Sequence, residues 1–155
     1  MAAGAKAASG PAEVGAQTET IVTMLPNNSI VSGVYEGPQG LLSTVREGSL
    51  LVDSSTVDPA LSKQLAAQAG ARGCQFVDAP VSGGVNAAAA GTLTFMVGAE
   101  TEAVFAQAEK LLGEMGAKVT HCGGVGTGGA CDGPTTARLA RPSRTNTAAN
   151  KSRIV

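Results

Sequence analysis

Short apolar runs alternate with helix-spaced ones along most of this chain, and that alternation restricts the fold more than any other feature. Thr20–Leu25, Ser49–Asp53, Gln75–Asp78, Leu93–Val97 and Val119–Cys122 read as short strands. Several are continuous apolar stretches, as strands buried on both faces are. Asp58-Pro59 is a helix start, an N-cap followed by proline in the first turn. Leu61, Leu65 and Ala69 then recur on one face until Gly70–Gly73 stops the helix. From Thr101 to Met115 a second helix carries one apolar stripe of Val104, Phe105, Ala108, Leu111, Leu112 and Met115. Glu100 and Glu102 sit at the positive end of its dipole, and Gly116 closes it. The fold class is α/β, with a doubly wound, mostly parallel sheet and flanking helices.

Charge divides the chain in two. Residues 1–128 carry six basic and eleven acidic side chains, whereas residues 129–155 carry five basic ones against Asp132 alone. Leu139, Ile154 and Val155 are the large aliphatics of that tail. So little apolar surface does not offset the entropy of ordering a segment, so a disordered basic C-terminal tail is expected. No aromatic residue interleaves its arginines, and the whole chain is nearly neutral, so nucleic acid is not an expected partner. No apolar run approaches the roughly 20 residues that span a bilayer, so no membrane partner is expected either. Cys74, Cys122 and Cys131 form no metal-ligand spacing and no even disulfide set, and no metal site is expected. His121, the single histidine, lies at a strand end and reads as structural.

Ligands in open α/β sheets bind beyond the carboxyl ends of the strands. Three strand ends here carry distinctive residues: Met24-Leu25-Pro26-Asn27-Asn28, Asp53-Ser54-Ser55-Thr56-Val57-Asp58-Pro59, and Asp78-Ala79-Pro80-Val81-Ser82-Gly83-Gly84. Taken singly, the first is a turn, the second a capped helix start with three successive hydroxyls facing one crevice, and the third a tight glycine turn before a short helix. In this order they resemble the 3-hydroxyisobutyrate dehydrogenases, within the larger family of β-hydroxyacid dehydrogenases. The likeness runs from about Glu13 to Gly128. It implies an incomplete Rossmann-like fold, NAD (or NADP) as cofactor and a small β-hydroxyacid as substrate. By resemblance, Leu25, Pro26 and Thr56 line the nicotinamide–ribose side of the cofactor, while Ser82, Gly83 and Gly84 hold the substrate carboxylate.

The same resemblance defines what is expected to be missing. The family opens with a strand and a G-x-G-x-x-G turn that seats the pyrophosphate on a helix N-terminus. Here the chain begins beyond that unit. Gly124-Val125-Gly126-Thr127-Gly128-Gly129 matches the pattern formally, but no clear helix follows it and no acidic residue lies about 20 positions on. In the family a catalytic lysine follows this stretch. Asp132 occupies that position, and Gly133-Pro134 opposes the supporting helix, so no catalytic residue is expected in this chain. The expected organisation is a flexible N-terminus over 1–12, a partial NAD(P)-binding domain of 6-phosphogluconate dehydrogenase type over 13–128, and a non-family tail over 129–155. The break at Gly129 is what a splice variant, retained intron or shifted reading frame produces. The resemblance implies oxidation of 3-hydroxyisobutyrate to methylmalonate semialdehyde in valine breakdown, in a truncated, inactive form that binds NAD weakly or not at all. The alternatives are a 2-hydroxy-3-oxopropionate or glyoxylate/succinic-semialdehyde reductase of the same family, or a non-catalytic interaction fragment. Expected partners are a second copy or an intact family member. The expected location is mitochondrial by resemblance, with a cytoplasmic alternative because Met1–Gly10 holds only Lys6 and shows no clear transit peptide.

Overall fold

The computed structural model describes Gly4 and residues 6–132. The elements follow one another as α1 (Pro11–Gln17), β1 (Thr20–Thr23), α2 (Asn28–Tyr35), α3 (Leu41–Thr44), β2 (Leu50–Asp53), α4 (Pro59–Gly70), β3 (Gln75–Asp78), β4 (Val81–Ser82), α5 (Gly84–Ala90), β5 (Leu93–Gly98), α6 (Glu102–Leu112) and β6 (Gly116–Gly123). A 3-10 turn over Gly128–Asp132 ends the described chain. It crosses the expected boundary at Gly129, and the rest of the expected disordered tail lies outside the described residues.

The strands form one mixed, mostly parallel sheet. β1, β2 and β3 are parallel neighbours, and β1 lies at one edge of the strand order. β4 continues β3 after Ala79-Pro80 and pairs antiparallel with β5, which also meets β3 at Asp78–Gly98. β6 then runs parallel to β5, joined to it through α6.

Both faces of the sheet are covered, and side-chain alternation explains how. On one face Ile21, Leu51 and Phe76 pack with Val31 and Tyr35 of α2, Leu65 and Ala69 of α4, and Leu41 and Leu42 of α3. On the other, Leu50, Val52, Val77, Phe95 and Val97 pack with Ala108 and Leu112 of α6. Successive residues of a strand point to opposite faces, so the run Leu50-Leu51-Val52 feeds both cores at once. Each such aliphatic side chain, once buried, contributes about 1.5–3 kcal/mol before entropy is counted.

Three helices and one short strand depart from the sequence expectation. α1 begins inside the stretch expected to be flexible. Its entry is fastened by Ser9, whose N–H and hydroxyl both donate to Glu13 Oε2, at 2.7 and 2.6 Å. α2 follows Pro26 rather than a simple turn, because Asn27 caps it by accepting from Ile30 N at 3.0 Å. Ser29, Ser32 and Gly33 are modest helix formers, so burial of Val31 and Tyr35 decides the matter. α3 is a single turn, and β4 is only two residues long. α6 ends at Leu112 with Gly113 as its C-cap, earlier than the apolar stripe suggests. Cys74 is a free buried thiol, whereas Cys122 is disulfide-bonded, which the odd cysteine count did not suggest.

One close approach fixes how β5 meets β3. A Cβ on Gly98 would run into the Asp78 carboxylate and come within 2.8 Å of Gly124 O. Gly98→Ala is therefore expected to cost about 1–3 kcal/mol of stability through overpacking. Gly70→Ala, at a position with open space around it, should be neutral or gain up to about 1 kcal/mol. Urea unfolding of the two variants beside the parent checks both signs.

Candidate functional site

The last residues of the parallel strands stand in register: Thr23 faces Asp53, Asp53 faces Asp78, and Asp78 faces Gly98. This row closes the sheet at its carboxyl edge, on the face that α2 and α4 cover. Asp53 is fully buried. Its Oδ1 accepts from Thr23 Oγ1 at 2.8 Å, Ser55 Oγ at 2.6 Å and Ser55 N at 3.2 Å. Thr23 Oγ1 also lies 2.8 Å from the Tyr35 hydroxyl. The threonine has one proton, and it goes to the carboxylate; Tyr35 is thus the donor in its own pair. Ser55 Oγ in turn accepts from Leu25 N at 2.9 Å. The loop after β1 is thereby tied to the loop after β2.

Asp78 does the same for the glycine-rich turn after β6. Its Oδ1 accepts from Gly126 N at 2.7 Å and its Oδ2 from Gly128 N at 2.9 Å, while Val125 N donates to Glu100 at 3.3 Å. Three amides of the turn that formally matches a phosphate loop are thus occupied by carboxylates of the protein itself. In this state the amides of Val125, Gly126 and Gly128 are not open to a pyrophosphate.

The residues singled out by sequence fall on this edge in two groups. Leu25 is half-buried against the core, while Pro26 and Thr56 are exposed. The Leu25–Ser55 bond brings the first group together. Asp58 N donates to Asn28 Oδ1 at 3.2 Å and closes the same gap from its outer side. Ser54, Ser55 and Thr56 do not share one crevice as the sequence suggested. Ser54 and Ser55 are buried and Thr56 is exposed, and of the three Ser55 and Thr56 line a common cavity that Ser54 does not. The second group, Ser82, Gly83 and Gly84, is exposed at the end of β4 and the start of α5. Gly83 and Gly84 have φ of 136° and 66°, a turn that side-chain-bearing residues rarely make. Pro80, two residues before Ser82, shares with Ser55, Thr56 and Ser62 the wall of a cavity of about 20 Å³. That is the size of a single water site. Asp132 lies at the end of the 3-10 turn. Sequence reasoning missed Asp53, Asp78 and Asn28 as organisers; the recurrence of Asp at the ends of two strands was the visible signal.

His121 is placed by Phe105, whose ring stacks on it at 4.5 Å, and by Glu102 and the Ala99 carbonyl, both at 3.4 Å. This is the structural role expected of it. Among the described residues no group of three or more His, Cys, Asp and Glu could hold a metal, and no helix is long and apolar enough to cross a membrane.

Burial pushes the carboxyl groups of Asp53 and Asp78 above the ordinary aspartate value, against the hydrogen bonds that pull them down. Each group therefore binds its proton more tightly folded than unfolded. Its contribution to stability is complete below the ordinary value of 3.8 and is lost as pH rises through the folded one. The urea midpoint should therefore fall as pH rises from the ordinary aspartate value of 3.8 toward neutrality, and Asp53→Asn should flatten that fall. A parent midpoint that rises over this interval would contradict the assignment.

Comparison with known proteins places the chain in a family. Residues 1–124 match the family model of the NAD binding domain of 6-phosphogluconate dehydrogenase. Mouse mitochondrial 3-hydroxyisobutyrate dehydrogenase is 53% identical over 126 residues, which are 81% of this chain and 37% of that protein. The chain thus spans little more than a third of the relative's length. Among solved structures, 3-hydroxyisobutyrate dehydrogenase of Mycobacterium tuberculosis with L-serine superposes with a TM-score of 0.71 at 38% identity, covering 77% of this chain and 40% of that one. Psf3 in complex with NADP+ and 2-OPP superposes with a TM-score of 0.74 at 27% identity, covering 79% and 43%. The chain belongs to the family of the NAD-binding domain of 6-phosphogluconate dehydrogenase, in which it is a partial domain of the 3-hydroxyisobutyrate dehydrogenase kind.

Proposed function

We propose that residues 13–128 are the nicotinamide-facing and substrate-facing part of an NAD(P)-dependent 3-hydroxyisobutyrate dehydrogenase, and that the 155-residue chain as it stands does not catalyse the reaction. The observation that carries the first half is the joining of Leu25, Pro26 and Thr56 at the carboxyl edge of the sheet, with Ser82–Gly84 following the neighbouring strand. Leu25, Pro26 and Thr56 offer an apolar-and-hydroxyl ledge suited to a nicotinamide riboside. Ser82 offers a hydroxyl beside the first-turn amides of α5, which suits the carboxylate of a short hydroxyacid. Leu25, Pro26 and Thr56 would hold the nicotinamide end of NAD, which would supply a hydride acceptor for the alcohol carbon, the hydroxyl proton passing to a separate base to leave the semialdehyde. In this reading the role of the chain's residues is to seat that carbon against the nicotinamide ring and to fix the acid's carboxylate. The names of the relatives support a mitochondrial setting, and a place in valine breakdown is proposed on the sequence resemblance alone.

Two observations support the second half. The amides of the Gly124–Gly128 turn are spent on Asp78 and Glu100, so this turn does not supply the diphosphate contacts a dinucleotide needs. Asp132 stands where the family carries lysine, and a carboxylate is not the proton donor and acceptor that an alkoxide requires there. Among the described residues β1 ends the sheet on one side, and such an edge favours self-association, or pairing with an intact family member.

The two halves separate experimentally. The purified 155-residue chain should produce no NADH from 3-hydroxyisobutyrate and NAD above a heat-killed control, and Asp132→Lys should not restore it. Turnover by either protein overturns the inactive reading. Residues 13–128 grafted into the mouse relative in place of the matching segment should support NAD-dependent oxidation of 3-hydroxyisobutyrate. In that graft Ser82→Ala should raise KM by about tenfold with a smaller change in kcat. A folded graft that reduces other semialdehydes but leaves 3-hydroxyisobutyrate untouched overturns the substrate assignment.

By calorimetry the 155-residue chain should show no micromolar affinity for NAD. Micromolar binding would mean that the Gly124–Gly128 turn opens to receive the diphosphate.

A further inference from the structure

We infer that Ser55 and Asn28 are positioning residues that hold Pro26 and Thr56 at a fixed separation, with Asp53 anchoring Ser55. Asn27 and Asp58 serve their own loops: each caps the helix that follows it, through Ile30 N and Ala60 N. Ser55 and Asn28 instead reach across. Leu25 N donates to Ser55 Oγ at 2.9 Å, and Asp58 N donates to Asn28 Oδ1 at 3.2 Å. Each bond joins residues thirty apart in sequence, and the two bonds flank Pro26 on one loop and Thr56 on the other.

The inner bond is held from behind. The Ser55 hydroxyl gives its proton to Asp53 Oδ1 at 2.6 Å, so its lone pairs face the Leu25 amide and its orientation is fixed. The Ser55 amide bonds the same oxygen at 3.2 Å. Thr23 adds a third donor, and Tyr35 from α2 stands behind Thr23, so the anchor reaches into the helix that follows the first loop. Ser55 is 2% exposed, and Asn28 is exposed on the rim. One bond is thus dry and rigid, and the other is open to water. Without them the two loops are joined at their bases, where Ser54 N donates to Thr23 O at 2.8 Å, and the ledge beyond would not keep one shape. That the ledge receives a nicotinamide rests on the function proposed above; the bracket itself rests on these distances.

The test uses the full 155-residue chain and amide exchange followed by NMR. Ser55→Ala should speed exchange at the Leu25 amide by about tenfold or more, while amides in β3 and α6 keep their protection. Ser55→Thr, which retains the oxygen, should restore it. An unchanged Leu25 amide in Ser55→Ala overturns the inference. If Ser55→Ala does not fold, Asn28→Ala carries the test from the exposed side: the Asp58 amide should lose protection, and if it does not, the inference falls. Titration with nicotinamide mononucleotide then asks what the bracket is for. In the parent, shifts should appear at Leu25 and Thr56, and Ser55→Ala should weaken the apparent affinity several-fold. Equal affinity in parent and variant overturns the positioning role alone. No shift at Leu25 and Thr56 in the parent overturns the cofactor-side reading of this edge, and the positioning role with it.

Discussion

The acceptance of two backbone amides by the Asp78 carboxylate is the interaction on which the candidate site depends. Asp78 ends β3, while the Gly126 and Gly128 amides belong to the turn after β6, about fifty residues further along. Gly98, with no side chain, leaves the carboxylate the room it occupies. Next to it in register, Asp53 ends β2 and gathers donors from Thr23 and Ser55. Two carboxylates placed side by side in a largely dry setting are costly unless their lone pairs are met. Here both oxygens of Asp78 are met and Asp53 is met at Oδ1, its Oδ2 being buried without a partner, and the donors come from the end of β1 and the loops that carry the site. The cost of burying the pair thus fixes the shape of the sheet's carboxyl edge.

This arrangement also accounts for the behaviour of the glycine-rich turn. Spacing alone makes Gly124–Gly129 look like a phosphate loop. A phosphate loop works because its amides await an anion. Here the anions are already present as Asp78 and Glu100, so the turn works as an internal clasp. The same amide geometry serves a ligand in one context and the fold in another, and the difference lies in side chains distant in sequence.

That distance also marks what the sequence disclosed. The five strands, the capped helix at Asp58-Pro59 and the helix behind Thr101 were legible because each rests on local signals: apolar period, cap residue, glycine stop. α2 was not legible, because its helicity depends on Val31 and Tyr35 reaching a core built by other segments. α1 was missed for a related reason, since the Ser9–Glu13 bonds that start it lie in an alanine- and glycine-rich stretch with little apolar period. The strand ends of the candidate site were identified by resemblance; the loops after β1 and β2 are joined by the Leu25–Ser55 bond, and Ser82–Gly84 forms a separate group after β4. The crevice of three hydroxyls was overdrawn, because the chain bends at Ser55 and only Ser55 and Thr56 line a common cavity. Asp53 and Asp78 stood in the quoted motifs without a role. Their role is one of register, and register between strands is set by pairing that no single segment contains.

If the buried carboxylates organise this edge, removing one acceptor should loosen only what it holds. The most direct measurement is amide exchange at Gly126 and Gly128 in Asp78→Asn beside the parent protein. An asparagine presents one oxygen and one NH2 group where two acceptors stood, so one of the two backbone N–H groups loses its partner. The account predicts a marked loss of protection at whichever of Gly126 and Gly128 faces the NH2 group, with α4 and the β1–β2 pair retaining theirs. Equal protection at both glycines in the two proteins would show that the turn holds itself, and would contradict the account.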